Sequence, residues 1–159
     1  RLHLSGHFCQ APKPGILDMI EECGATIVGD DLYHGFRYIS TDVPPNPDPR
    51  SALTQWYFDR NSNVPCSTRA QNTVDWESYL LDSLPHSAAQ RIVILMPKFC
   101  EPHMLYYPEL RKALRGKGIP HLLIETEHEG LPLETVRVRI EAFIELIKRG
   151  AAASPELVQ

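Results

Sequence analysis

The chain has 159 residues, 43% of them hydrophobic and 23% charged, with a formal net charge of −4. These are the proportions of one ordinary globular domain, which excludes a disordered or collagen-like chain, and the slight acidity argues against nucleic acid or an anionic membrane as the main partner. The longest apolar run, residues 92–96, has the length of a strand and falls far short of the ~20 residues of a membrane helix.

Residues 1–6 (RLHLSG) alternate and end in glycine, as a first strand does. The chain opens on Arg1 without a Met or a signal-peptide apolar segment, so it is read as an excised domain or processed fragment. After a Cys9–Pro14 loop, Ile16, Ile20 and Cys23 fall at helical spacing, and Gly24 supplies the stop; the spacing predicts a helix over 15–23. Residues 25–28 form a second strand ended by Gly29-Asp30-Asp31, and 36–43 fit neither period. The proline cluster at 44–49 forbids regular structure. A helix is expected over 51–60, capped by Ser51, with Leu53, Trp56 and Tyr57 on one face. Residues 61–69 read as a loop, and 74–84 as a helix ending before Pro85.

Residues 91–96 are the strongest strand, an unbroken apolar run of the kind buried on both faces. It ends at Pro97 and delivers Lys98-Phe99-Cys100. A helix over 107–115, closed by Gly116 and Gly118, leads to a fourth strand over 121–125. The last helix, 133–149, carries Val136, Ile140, Phe143, Ile144 and Ile147 as one apolar stripe. Residues 1–150 thus read as a single α/β domain followed by a tail at 151–159. Strands alternating with helices mean a flavodoxin- or Rossmann-like three-layer domain on a four-stranded, mostly parallel sheet with right-handed crossovers.

In such sheets ligands bind beyond the carboxyl ends of the strands. Those ends gather His7 and Cys9, then Asp30, Asp31, Tyr33 and His34, then Lys98, Cys100, Glu101 and His103, and lastly Glu125, Glu127 and His128. The opposite edge holds only Pro85, Lys117 and Pro120. Four cysteines are too few for a disulfide scaffold but enough to hold a metal. A free cysteine more often packs as a small hydrophobe, and Cys23, on the apolar helix face, fits that role. Cys100 does not, because it follows a buried strand and prolines at 97 and 102 fix the turn on both sides. Cys66 sits in an irregular loop and Cys9 beyond the first strand, so both stay open as ligands. Structural zinc asks for close ligand couples; Cys100-x-x-His103 is a lone one, and wide spacing suits a cluster held in a cleft. Asp30, Asp31, Glu125 and Glu127 offer acid–base groups, although acidic residues at strand ends more often cap helices or bind water. Arg137 and Arg139 lie off the last helix's stripe and read as solvated or subunit-facing. No GxSxG, P-loop, GxGxxG or HExxH pattern occurs.

The stretch Lys98-Phe99-Cys100-Glu101-Pro102-His103, with Tyr107-Pro108 and Gly118-Ile119-Pro120 downstream, resembles the benzoyl-CoA reductase and 2-hydroxyacyl-CoA dehydratase family. Gly24-Ala25 through Asp30-Asp31-Leu32, Pro65-Cys66-Ser67-Thr68-Arg69 and the helix from Arg137 to Glu145 agree with it. The likeness is to the carboxy-terminal domain of a cluster-bearing subunit and spans nearly the whole chain. It implies two α/β domains per subunit with a [4Fe–4S] cluster in the cleft between them, held by three cysteines. Cys100 matches the family's cluster cysteine in this domain, with Cys66 and Cys9 as further metal candidates and His103 and Glu127 as catalytic candidates. In many members the other ligands come from the amino-terminal domain.

The resemblance also implies one-electron chemistry. An ATP-hydrolysing activator passes a low-potential electron through the cluster to an acyl-CoA thioester. The radical anion then loses a hydroxyl in a dehydratase or proceeds to a reduced ring in a reductase. The expected partners are the acyl-CoA, the amino-terminal domain, a homologous second subunit and the activator, in a reducing cytoplasm. Pro65-Cys66-Ser67-Thr68-Arg69 and the Lys98–His103 stretch lean toward benzoyl-CoA reductase, with an (R)-2-hydroxyacyl-CoA dehydratase as the alternative. From another class, a flavodoxin-like binding or electron-carrier domain lacks the expected phosphate loop after the first strand.

Overall fold

Four apolar runs pair side by side in the computed structural model, which describes residues 1–6, 12–65, 74–127 and 133–150. They are β1 (Leu2–Gly6), β2 (Ile27–Asp30), β3 (Arg91–Pro97) and β4 (His121–Thr126). All pair in parallel, in the order β2-β1-β3-β4. Leu2 of β1 stands opposite Arg91 and Gly6 opposite Leu95, while Ile92 to Pro97 of β3 pair with His121 to Thr126 of β4. The helices between them are α1 (Pro14–Glu22), α2 (Pro49–Asn63), α3 (Trp76–Ser87), α4 (Glu101–Gly116) and α5 (Leu133–Lys148).

The sheet separates two apolar cores, so the domain has three layers. Leu2, Leu4, Val93, Leu95, Leu122 and Ile124 face α1 and α5, meeting Ile16, Met19, Ile20, Val136, Ile140 and Phe143. On the other face Ile92, Ile94 and Met96 meet Trp76, Leu80 and Leu84 of α3 and Tyr106, Leu110 and Leu114 of α4. The apolar run of β3 therefore supplies both cores at alternate positions, as its composition predicts. Each such fully buried aliphatic side chain contributes about 1.5–3 kcal/mol of burial. Gly6 closes β1 at φ +139, and a Cβ there would lie 2.0 Å from the Leu95 carbonyl oxygen, so only glycine fits.

Proline punctuation differs from the sequence expectation in four places. Pro49 sits in the first turn of α2, where a missing N–H leaves nothing unsatisfied. The cap is Asp48 rather than Ser51; its carboxylate accepts from the N–H groups of Arg50 and Ser51, each at 3.2 Å. Leu53 and Tyr57 are exposed, and α2 buries Ala52 and Arg60 instead. Pro102 likewise occupies the first turn of α4, which starts at Glu101 and runs through Pro108. α3 runs through Pro85 to Ser87, and Ala88 ends it in the left-handed region at φ 49. Burial of Leu84 on α3 and of Tyr106, Leu110 and Leu114 on α4 offsets the ~3 kcal/mol that an interior proline costs a helix. Residues 36–39 form a turn and 40–43 are irregular, and residues 151–159 lie outside the described residues.

Candidate functional site

In the chain, β1 is followed by β2 on one side of it and, after two helices, by β3 on the other. The strand order therefore reverses between β1 and β3, and the crevice at their carboxyl ends is where an open parallel sheet binds ligands. The turn leaving β3 at that point carries Cys100. Its geometry is unusual: Phe99 adopts φ +64, a left-handed conformation that a bulky side chain avoids, and its ring is 91% exposed. Lys98 N–H extends the sheet by donating to the Thr126 carbonyl at 2.8 Å, and Cys100 N–H donates to the Pro97 carbonyl at 3.2 Å. The strained residue thus rotates the chain so that Cys100 becomes the N-cap of α4.

At that cap the Cys100 thiol is half-buried, and its Sγ lies 3.4 Å from Nδ1 of His103, one helical turn on. The Cys100 carbonyl accepts from the N–H groups of His103 and Met104 at 3.1 and 3.0 Å. A helix N-terminus favours negative charge held against it. His103 is 2% exposed, and its ring meets the edge of Trp76 from α3, with centroids 5.2 Å apart.

Trp76 leads into a buried polar cluster under β1. Its indole N–H donates to Ser5 Oγ at 3.2 Å and to Asp31 Oδ2 at 3.1 Å. Asp31 Oδ2 also accepts from Arg37 Nη2 at 2.7 Å, and Asp31 Oδ1 faces His3 Nε2 at 3.6 Å. His3, Ser5, Asp31, Arg37 and Trp76 are all buried. Burial by itself pushes the Asp31 carboxyl up, but the Arg37 guanidinium and His3 outweigh it and hold the group well below the usual carboxylate range. Asp30 plays the capping part: its Oδ1 accepts from Leu32 and Phe36 N–H at 3.0 and 2.9 Å.

Glu127, just past β4, is half-exposed and ion-paired with Lys98, a contact that raises the lysine's pKa. Cys23 packs partly buried against the α1–α5 core, where burial and then Glu141 push its thiol up. Cys9 and Cys66 lie outside the described residues, as do His7 and His128. The structure thus brings together Cys100 and His103, and sets Glu127 with Lys98 on the same sheet edge. Reading along the chain missed His3, Arg37 and Trp76. The available signal was the alternation of His3 and Ser5 with Leu2 and Leu4, which puts polar side chains on the inner face of a central strand.

Among the described residues no three His, Cys, Asp or Glu side chains are placed to hold a metal ion together. Among the described residues Cys100 sets a half-buried thiol on the turn that leaves β3, a donor type that suits one ligand of a cluster completed by other cysteines. No helix among the described residues is long and apolar enough to cross a membrane.

A parallel three-layer α/β domain with a thiol at its topological switch point is the class that fold and site define. The family described as 2-hydroxyglutaryl-CoA dehydratase, D-component, matches residues 1–147, and the chain belongs to it. It is 32% identical over 137 residues to the (R)-phenyllactyl-CoA dehydratase beta subunit of Clostridium sporogenes, covering 86% of this chain and 36% of that protein. With a benzoyl-CoA reductase subunit of Thauera aromatica it shares 24% over 148 residues, 93% of this chain and 38% of that one. With the beta subunit of (R)-2-hydroxyglutaryl-CoA dehydratase of Acidaminococcus fermentans it shares 27% over 135 residues, 83% of this chain and 35% of that one. The chain therefore spans little more than a third of the length of these relatives.

Proposed function

We propose that this chain is the cluster-bearing α/β domain of an acyl-CoA dehydratase subunit, in which Cys100 ligates one iron of a [4Fe–4S] cluster. The observation that carries the reading is the Cys100 turn: a half-buried thiol at the switch point, on a helix N-cap, reached through a strained exposed Phe99. Strain of that kind costs about 1–3 kcal/mol and persists where function demands the geometry. The remaining thiolates come from Cys66, from Cys9 or from another domain of the longer subunit. When bound, the cluster supplies a single low-potential electron to a CoA thioester, delivered by an ATP-hydrolysing partner protein in a reducing cytoplasm.

The chain's own residues support that chemistry in separate ways. Cys100 holds the metal, and the buried packing behind it (Trp76, His103, Tyr106) keeps water from its inner side. Glu127, half-exposed just past β4 and ion-paired with Lys98, is the residue we assign to hold or move a proton at this sheet edge. Identity of 32% to a dehydratase subunit against 24% to a reductase subunit favours dehydration of a 2-hydroxyacyl-CoA. The Pro65-Cys66-Ser67-Thr68-Arg69 stretch favours reduction of an aromatic acyl-CoA as the second reading.

Anaerobic purification of the complete polypeptide that carries this chain, with its partner subunit, decides between these and a cluster-free role. A brown protein with broad visible absorption and about four iron per chain is expected. A colourless protein with zinc, or a yellow one with flavin, overturns the reading. Assay of the loaded enzyme with a 2-hydroxyacyl-CoA and with an aromatic acyl-CoA separates the two branches.

A further inference from the structure

Cys100 and His103 occupy the N-cap and the third helical position of α4, the two positions that in a capping box bond reciprocally, each side chain to the other's backbone N–H. In that motif the third residue reaches back to the N-cap N–H. Here the N-cap N–H is already bonded to the Pro97 carbonyl, and the imidazole faces the sulfur instead. A metal-bound thiolate has lone pairs and no proton, so the ring nitrogen facing it must be the donor. On this basis, and resting on the cluster reading above, we infer that His103 donates Nδ1–H to the Cys100 thiolate and thereby sets the reduction potential of the cluster. Trp76 is the residue that positions the ring.

Three observations carry the inference. The first is the approach itself, 3.4 Å between Nδ1 and Sγ on the first turn of a helix whose start is stiffened by Pro102. The second is dryness: at 2% exposure His103 cannot exchange its place at the sulfur for a water molecule. The third is the succession of contacts behind the ring. Trp76 meets His103 edge-on at 71°, its indole N–H is held by both Ser5 and Asp31, and Asp31 is held by Arg37. None of these side chains is more than 2% exposed. A buried Asp–Arg pair is a poor device for stability alone, because desolvation offsets most of its attraction. As the fixed end of a succession that orients an imidazole, it has a purpose. Groups that orient or hydrogen-bond a metal ligand also tune the metal. An N–H donor on a cluster thiolate draws negative charge from the sulfur and favours the reduced cluster, so it raises the potential.

The test uses the complete polypeptide, loaded anaerobically, with iron content and an EPR-monitored redox titration as readouts. His103→Asn carries an amide nitrogen at the Nδ1 position and is expected to keep the wild-type potential. His103→Leu is expected to retain iron while its reduction constant falls roughly tenfold, a shift of ~59 mV to more negative potential for a one-electron couple. His103→Gln, whose amide reaches the Nε2 position, should follow the leucine variant. Trp76→Phe, which removes the indole N–H anchored by Ser5 and Asp31, should move in the same direction by less. Equal potentials in the asparagine and glutamine variants overturn the inference even if the leucine variant does not fold. An unchanged potential in a loaded leucine variant does so as well. A wild-type polypeptide without iron would instead overturn the cluster reading on which the inference rests.

Discussion

Replacing Arg37 by Met should destabilise the domain by about 3–5 kcal/mol, because it leaves a fully buried Asp31 carboxylate without its countercharge. The magnitude follows from the environment. Asp31 is 0% and Arg37 1% exposed, so no water can take the place of the guanidinium that now lies 2.7 Å from Oδ2. Among the described residues only the indole N–H of Trp76 and the more distant His3 remain to face the charge. Asp31→Asn should cost a similar amount for the converse reason. Arg37 Nε and Nη1 already have no hydrogen-bond partner among the described residues, so the guanidinium depends on that carboxylate.

Replacing both residues by apolar ones, Asp31→Leu with Arg37→Met, removes the two desolvation penalties together. The double variant should therefore lie well above the sum of the singles, with a coupling of at least ~2 kcal/mol. Urea unfolding at neutral pH measures the wild type, Asp31→Asn, and the cycle of Asp31→Leu, Arg37→Met and the double variant. The wild type should also lose stability as pH falls below about 4, where the unfolded chain takes up a proton that folded Asp31, with its lowered pKa, does not. That acid-side loss should be shallower in Asp31→Asn. Single variants within 1 kcal/mol of wild type, or strictly additive losses, would refute the buried-pair reasoning.

Gly6→Ala forces a Cβ into the Leu95 carbonyl at φ +139, so it should cost at least ~1–3 kcal/mol and lower Tm in a calorimetric scan; an unchanged Tm would show that the β1 end adopts another conformation. Leu110→Ala, in the fully buried α3–α4 core, should cost about 2–5 kcal/mol in denaturant. Phe99→Gly should do the opposite, raising stability by up to about 1 kcal/mol in the same experiment, since it relieves a left-handed bulky residue whose ring makes little contact. A loss of stability in that variant would mean that the Phe99 ring is packed.

The sheet was legible because β3 carries five consecutive apolar residues, three of them β-branched, between Arg91 and Pro97, a strand-length run that needs two apolar faces. Helix starts were less so, since a proline marks a break when read along the chain but sits without penalty in a first helical turn. That is why α4 begins at Glu101, and why Cys100 is a cap rather than part of a loop. Cys100 itself stood out from its place after the strand. Its surroundings did not, because Trp76 meets Ser5 and Asp31 across 71 and 45 residues of chain, and only the fold brings them together. Arg60 was equally invisible: it is buried on α2 with its guanidinium 4.8 to 5.5 Å from the rings of Tyr33, Tyr38, Trp56 and Tyr57.

Iron content in the Cys100→Ser variant of the complete polypeptide, prepared anaerobically beside the wild type, bears most directly on the proposed metal centre. Wild type should carry about four iron per chain with broad visible absorption, and the variant should lose the cluster or hold only a labile remnant while keeping its fold by circular dichroism. A folded Cys100→Ser protein with a full, stable complement of iron would contradict the assignment of Cys100 as a ligand.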